Sequence, residues 1–277
     1  AVTDHPIADF PCIVVPDTGT ALLQIAAYYR RKFSPILVGV TGSVGKTTTK
    51  EMIALVLSAA FETLKTQGNL NNEIGLPKML LHLAPKHKAA VIEMGMSHLG
   101  EIHRLSCATQ PTIGVITNIG FSHIENLGLQ EGILKAKMEI LDGMEPDAPL
   151  VLNADDPHLA PFVEQLDRPV YTYGLETKTA DVTAEEVQEG DNETTFTIVT
   201  KDGRTFPAVL PCVGMHNVMN ALAAFCVGRI CSIAPDVICK ALADYQPIPF
   251  RQNIEQRGPY TVIVDCYNAS PDSMRAA

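Results

Sequence analysis

The amino-acid sequence predicts an α/β fold in which a mostly parallel sheet, flanked by helices, carries a small antiparallel β appendage. Three observations support this. A short apolar run, Ile36 to Val40, passes through a glycine-rich turn, Thr41 to Gly45, into Lys46 to Ala60, whose Met52, Ile53, Val56 and Leu57 share one helical face. Downstream, strand-like and helix-like runs alternate, the order that builds a parallel sheet with helices on both faces. Between Asp181 and Leu210 the texture changes to alternating runs broken at Glu189-Gly190-Asp191-Asn192 and Lys201-Asp202-Gly203, which is hairpin chemistry.

Thr20 to Phe33 places Leu22, Leu23, Ala26 and Tyr29 at helical spacing, and Pro35 closes that segment ahead of the first buried strand. Beyond Ala60, strands are expected at Ala89 to Met94, Thr112 to Thr117 and Leu150 to Asn153. Helices are expected at Gly100 to Cys107, Leu129 to Met144 and Pro157 to Leu166, then again at Asn217 to Ile230 and Pro235 to Tyr245. Tyr260 to Cys266 reads as the first strand of another unit.

The 277 residues carry a formal net charge of −10, which argues against nucleic-acid binding through the overall field; any polyanionic ligand must be held locally. A hydrophobic share of 46% suits a sizeable globular core. The cysteines are odd in number and form no CxxC pair, as expected of reduced thiols in a cytoplasmic protein. No apolar run approaches the roughly 20 residues that span a bilayer. The longest candidate, Ala221 to Ala234, contains Arg229, so no membrane insertion is expected. Ala1 in place of an initiator Met, and a final residue just inside the helix opened by Ser270-Pro271-Asp272, suggest a piece of a longer protein.

The strongest chemical signal is Thr41-Gly42-Ser43-Val44-Gly45-Lys46-Thr47-Thr48, set between a buried strand and a helix as a phosphate-binding P-loop requires. Glycines let backbone N–H groups turn inward around phosphates, and the helix N-terminus adds its positive end. Lys46 is placed to reach the β- and γ-phosphates and Thr47 to ligate Mg²⁺. The general pattern GxxxxGK[ST] needs Gly at position 40, where this chain has Val40, and no guanine-reading NKxD motif occurs. Ordinary kinases and GTPases are therefore disfavoured.

Glu93 ends the next apolar strand, where a carboxylate can face the nucleotide crevice as a Mg²⁺ ligand, or else cap a helix. Thr117-Asn118-Ile119-Gly120-Phe121-Ser122-His123-Ile124-Glu125 puts His123 at the same sheet edge, though a lone His is more often structural. By itself Lys137, in Lys135-Ala136-Lys137-Met138-Glu139-Ile140, reads as part of a solvated helix face, paired with Glu139 or Glu131.

Together, the shortened loop TGSVGKTT, the acid-ended strand, TNIGxxHxE and KAKxEI occur in the order and spacing of the Mur ligase family. The chain resembles that family from Thr20 onward. Thr66-Gln67-Gly68-Asn69-Leu70-Asn71-Asn72-Glu73-Ile74-Gly75-Leu76-Pro77 is similar to the TxGNxNNxIGxP segment of its D-alanyl-D-alanine-adding branch. His216 to Ala224, Arg251, and Asp265 to Met274 match as well. Cys266 and Ser270 depart from the serine and second asparagine of the family's DSYNANP.

The resemblance implies ATP and Mg²⁺ as cofactors, with UDP-N-acetylmuramoyl-tripeptide and D-alanyl-D-alanine as the substrates joined in peptidoglycan precursor synthesis. By position, Lys46 and Thr47 would hold phosphates and a first Mg²⁺ with Glu93. His123 and Lys137 would serve a second metal, Lys137 as a carbamate. Asn217 and Asn220 would line the nucleotide pocket, Arg251 and Asp265 would contact phosphates and ribose, and Asn71, Asn72, Ser97 and His98 would approach the muramoyl-peptide. Lys50, one helical turn past Lys46, is expected to tolerate replacement.

Three domains are implied: residues 1–20 as the tail of a UDP-substrate domain, 21–258 as the central ATP-binding domain, and 259–277 as the start of a Rossmann-like domain. A monomer is expected, and a fragment of this extent should not ligate by itself. The rival readings are a folylpolyglutamate synthase-type ligase, against which Asn69 to Pro77 counts, and a nucleotide-binding module without catalysis, against which Glu93, His123 and Lys137 count.

Overall fold

The structure, a computed structural model, describes residues 1–276. Two short parallel strands, β1 (Val2–Thr3) and β2 (Ile13–Val14), precede α1 (Thr18–Arg30), which starts where the Asp17 carboxylate accepts the Thr20 N–H at 2.6 Å. The first domain boundary expected from sequence, between residues 20 and 21, thus falls inside a helix. The chain continues through β3 (Ile36–Thr41), α2 (Lys46–Ser58), β4 (Thr63–Lys65), α3 (Gly75–Leu80), β5 (Ala89–Glu93), α4 (Glu101–Thr109) and β6 (Ile113–Ile116). Next come α5 (Ile124–Leu127), α6 (Gln130–Met138), β7 (Leu150–Asn153), α7 (Phe162–Gln165) and β8 (Val170–Tyr173). After β9 (Val182–Glu189), β10 (Thr194–Thr200) and β11 (Thr205–Leu210) lie α8 (Met215–Ile230), α9 (Pro235–Ala243), β12 (Asn253–Arg257), β13 (Tyr260–Val264) and α10 (Pro271–Ala276).

Nine strands form one sheet in the order β11-β10-β9-β8-β7-β6-β3-β5-β4. From β4 to β9 the pairing is parallel, and β9, β10 and β11 are antiparallel. The expected appendage is therefore an extension of the main sheet, joined where Tyr173 of β8 pairs with Val182 of β9. The strand pleat sorts the core into two layers. Val38, Val40, Val91, Val115 and Val151 face α2, α8 and α9, whereas Leu37, Ile92, Ile116 and Leu152 face α3, α4 and α6. With helices on both faces, the central strands are apolar without alternation, as parallel sheets require.

Two expected helices are shortened by local polar chemistry. Of Pro157 to Leu166 only α7 forms, because the Asp156 carboxylate binds the His158 and Leu159 N–H groups at 2.8 and 3.2 Å and holds a turn there instead. The segment expected as helix from Leu129 to Met144 is helical in α6, then tightens into a 3₁₀ turn over Glu139–Gly143. The strands β4 and β8 were not expected from sequence; each is only a few residues long. The second expected boundary, after residue 258, falls in the turn of the β12–β13 hairpin.

Candidate active site

At the C-terminal edge of the parallel strands lies a cleft of about 860 Å³, the edge where open α/β sheets place their ligands. Its floor is the turn between β3 and α2. Gly42 has φ +148° and an added Cβ would lie 1.8 Å from Thr117 Oγ1; Gly45, the residue that opens α2, has φ +81° and an added Cβ would lie 2.9 Å from Asn220 Oδ1. Both conformations suit glycine alone. Asn118, which follows β6, braces the turn by accepting the Val44 N–H and donating to the Val44 carbonyl, each at 3.0 Å, while its own carbonyl accepts the Ser43 N–H.

Lys46 and Lys137 converge on one atom. Each ammonium donates to the Gly42 carbonyl at 2.8 Å, and Lys46 also reaches the Ser43 carbonyl at 3.1 Å. Desolvation lowers the pKa of both, that of Lys137 well below the ordinary lysine value, with Lys46 repelling it further. Lys137 is 2% exposed and Lys135 is exposed, so the paired solvated face that Lys137 suggested in isolation does not form. Glu139, its nominal partner, instead accepts the Gly100 N–H at 2.8 Å and the His103 N–H at 3.1 Å at the start of α4.

Glu93 ends β5 at 2% exposure. Its Oε1 accepts Asn71 Nδ2 at 2.8 Å and Thr47 Oγ1 at 3.3 Å, but Oε2 is buried without a partner. A buried carboxylate oxygen left unpaired is costly. The Glu93 carboxylate, joined to the Thr47 hydroxyl through Oε1 and with Oε2 left over, offers oxygen donors of the kind a hard divalent cation such as Mg²⁺ accepts, so these residues fit the implied metal. His123 lines the same cleft with φ +62°, and its pKa is lowered by desolvation and by the charges of Lys137 and Lys46.

On the opposite wall, Asn217 and Asn220 project from the first turns of α8. Asn217 donates to the Val213 carbonyl at 2.7 Å, and Asn220 accepts the Thr49 hydroxyl at 2.9 Å beside Gly45. Arg251 donates to Thr47 Oγ1 at 3.1 Å and stacks over the Tyr267 ring at 4.3 Å. Ser43, Val44, Thr48, Asp265, Asn71, Asn72 and Ser97 also line the cleft.

Some sequence expectations are corrected. Thr41 is fully buried and spends its hydroxyl on the Met94 carbonyl at 3.0 Å, so it ties β3 to β5 and does not face a ligand. His98 is exposed outside the cleft, its ring beside Glu101. Asn72 lines the cleft, yet its side-chain oxygen already accepts the Ile74 and Gly75 N–H groups at the start of α3. Lys50 is 1% exposed, donates to the Thr66 carbonyl at 2.8 Å and pairs with Glu51, so its replacement is not neutral. Sequence reasoning missed Asp156, whose Oδ2 accepts the buried Ile119 N–H at 2.6 Å and fixes the loop leading to His123. The only signal was a paired Asp155-Asp156 before Pro157, at the end of β7.

A doubly flanked parallel sheet with a glycine turn, desolvated lysines and an acid at one strand edge defines a P-loop α/β protein. The family model described as "Mur ligase middle domain" matches residues 40–228. The chain belongs to the Mur ligase family. Among its relatives is the UDP-N-acetylmuramoyl-tripeptide--D-alanyl-D-alanine ligase of Bacillus subtilis, 41% identical over 274 residues, 99% of this chain and 58% of that protein. The crystal structure of MurF from Acinetobacter baumannii superposes with a TM-score of 0.94 at 37% identity, covering 99% of this chain and 60% of that one. MurF from Thermotoga maritima in complex with ADP does so with a TM-score of 0.91 at 29% identity, over 99% and 64%. A folylpolyglutamate synthase (FPGS) of L. casei shares the fold at 16% identity and a TM-score of 0.72. The chain spans about 58% of the length of its Bacillus relative.

Proposed function

We propose that the full-length protein is an ATP-dependent ligase that adds D-alanyl-D-alanine to UDP-N-acetylmuramoyl-tripeptide, and that this chain supplies its ATP-binding centre. The observation that carries the reading is the buried Glu93 carboxylate, bonded to Thr47 through one oxygen and unpartnered at the other, beside a loop that already gathers two desolvated lysines. The relatives named above support the choice of substrates.

The tripeptide carboxylate would attack the γ-phosphorus of ATP in line, forming an acyl phosphate and releasing ADP; the amine of D-alanyl-D-alanine would then attack the acyl carbon and expel phosphate. The approach of one anion to another is the main obstacle. Lys46 and the N–H groups of Gly45 to Thr47 would hold the phosphates and offset that repulsion, aided by the N-terminus of α2. Mg²⁺, held by Thr47 and Glu93, and a second ion beside His123, would supply charge neutralisation and in-line geometry. Lys137 has the environment to be a carbamate: a buried amine that loses its proton readily can add CO₂ and become anionic. Asn217 and Asn220 would bound the nucleotide, Arg251 and Asp265 the phosphates and ribose, and Asn71 and Ser97 the muramoyl-peptide.

No helix among the described residues is long and apolar enough to cross a membrane. A cytoplasmic monomer fits the reading, with residues 1–20 following a UDP-substrate domain and residues 259–277 opening a Rossmann-like one. The test is acceptor choice. Full-length protein with ATP, Mg²⁺ and UDP-N-acetylmuramoyl-tripeptide is expected to release phosphate with D-alanyl-D-alanine and not with L-glutamate; the reverse preference would move it to the folate-type ligases.

A further inference from the structure

The loop that carries His123 is clamped from two sides, and one of the clamps comes from the far end of the chain. From the phosphate-loop side, Ser43 Oγ accepts the Gly120 N–H at 2.8 Å. From the other side, Asp272 in the first turn of α10 accepts the Phe121 N–H on its Oδ2 at 2.9 Å, across 151 residues of sequence. Gly120 is the contact point. A Cβ there would lie 2.1 Å from Asp272 Oδ2 and 3.2 Å from Ser43 Cβ, so only a residue without a side chain lets both neighbours approach. Asp272 is well placed to hold: its side chain is 24% exposed, Arg275 lies 4.0 Å away, and the N-terminal turn of a helix favours a carboxylate.

We infer that Asp272 is a positioning residue, a latch through which the segment following β13 holds the Gly120–His123 turn against the phosphate loop. The loop's other fixings among the described residues include the Asp156 bond to the Ile119 N–H, the Gln130 bond to the Ile119 carbonyl, the Ser43 bond to the Gly120 N–H and a long 3.5 Å bond from Ser122 Oγ to the Ser43 carbonyl, and none of them takes the Phe121 N–H from Asp272. His123 follows two residues later in a left-handed conformation that non-glycine residues seldom adopt, so its placement depends on how firmly the turn is held. The same segment contributes Tyr267, Asn268, Ser270 and Ser273 to the cleft wall. Seating of α10 therefore both closes the cleft and sets the histidine, which couples the position of whatever follows β13 to the readiness of the phosphate site.

The inference places His123 in the working site as proposed above, but its first readout needs no substrate. In full-length protein, amide exchange is followed by mass spectrometry over peptides spanning residues 118–124. Asp272→Ala is expected to speed exchange there by roughly tenfold or more, as when a charged acceptor is removed from an N–H group; Asp272→Asn, which keeps an acceptor oxygen, should retain part of the protection. Gly120→Ala should reproduce the effect, and the double variant should be no worse than Asp272→Ala, since the added methyl then has room. In turnover, Asp272→Ala should lower kcat more than it raises KM for ATP. Unchanged exchange in Asp272→Ala, or strictly additive effects in the double variant, would overturn the latch. Loss of protection in a protein that proves inactive with every acceptor would leave the latch standing and remove the ligase reading instead.

Discussion

At the scale of single residues, the site is a contest between burial and charge. Lys46 and Lys137 share the Gly42 carbonyl, and neither has an acidic partner at hydrogen-bond distance among the described residues. Such a pair is stable enough to exist but poised for an anion. Lys46→Ala in the full-length protein is expected to slow ATP-dependent phosphate release by at least roughly a hundredfold, the cost of losing a preorganised charge aimed at the transferring group; a change under tenfold would exclude that role. For Lys137 the expected outcome is more particular. Lys137→Ala should be nearly inactive and partly restored by a small carboxylate such as acetate at high concentration, which can take the place of a carbamate, while Lys135→Ala, at an exposed position, should need no rescue. Wild-type turnover in Lys137→Ala, or rescue confined to Lys135→Ala, would contradict the carbamate.

These two lysines also show where sequence reasoning reaches and where it stops. Lys46, Thr47 and Glu93 were legible because each directly follows an apolar strand or its glycine turn, which places them at one sheet edge without knowledge of the fold. Lys137 was not legible on its own residues: Lys-Ala-Lys on a helix reads as solvated, and only resemblance pointed to it. Its burial depends on α6 packing beneath a loop almost a hundred residues upstream, a contact that no local pattern encodes. Lys50 failed for the same reason, as burial against Thr66 is a tertiary fact.

At the scale of elements, the turns between strands and helices position the chemistry, and they are held by carboxylates and amides more than by apolar packing. Asp155 accepts the Leu175, Glu176 and Thr177 N–H groups, Asp156 accepts that of Ile119, and Asn118 braces the phosphate loop. Sequence analysis expected a helix after Asp156 because the apolar spacing permits one; the side chain's competition for backbone N–H groups decides otherwise. Removing that carboxylate leaves the buried Ile119 N–H unsatisfied. Asp156→Ala is therefore expected to cost about 1–3 kcal/mol of stability and to weaken nucleotide binding through the loop it anchors. A denaturation midpoint and nucleotide affinity equal to wild type would show that the loop is fixed by other means.

At the scale of the whole molecule, the parallel sheet is a device for bringing distant residues to one edge. β3 delivers the glycine turn, β5 delivers Glu93, and β6 delivers Asn118 and His123, while α8 and the stretch before β12 close the opposite wall with Asn217, Asn220 and Arg251. The antiparallel extension β9 to β11 lengthens the sheet and packs against α8 through β9 and against α9 through β11, and only Cys212, just past it, reaches the cleft. The central claim is that this edge forms a single phosphate-and-cation site, with Glu93 as its buried acid. The most direct measurement is calorimetric titration of a non-hydrolysable ATP analogue into full-length wild type and Glu93→Gln, each with and without Mg²⁺. Wild type should bind more tightly when Mg²⁺ is present, and Glu93→Gln should bind the metal-free analogue comparably but lose most of the gain from Mg²⁺. An equal response to Mg²⁺ in the two proteins would contradict the account.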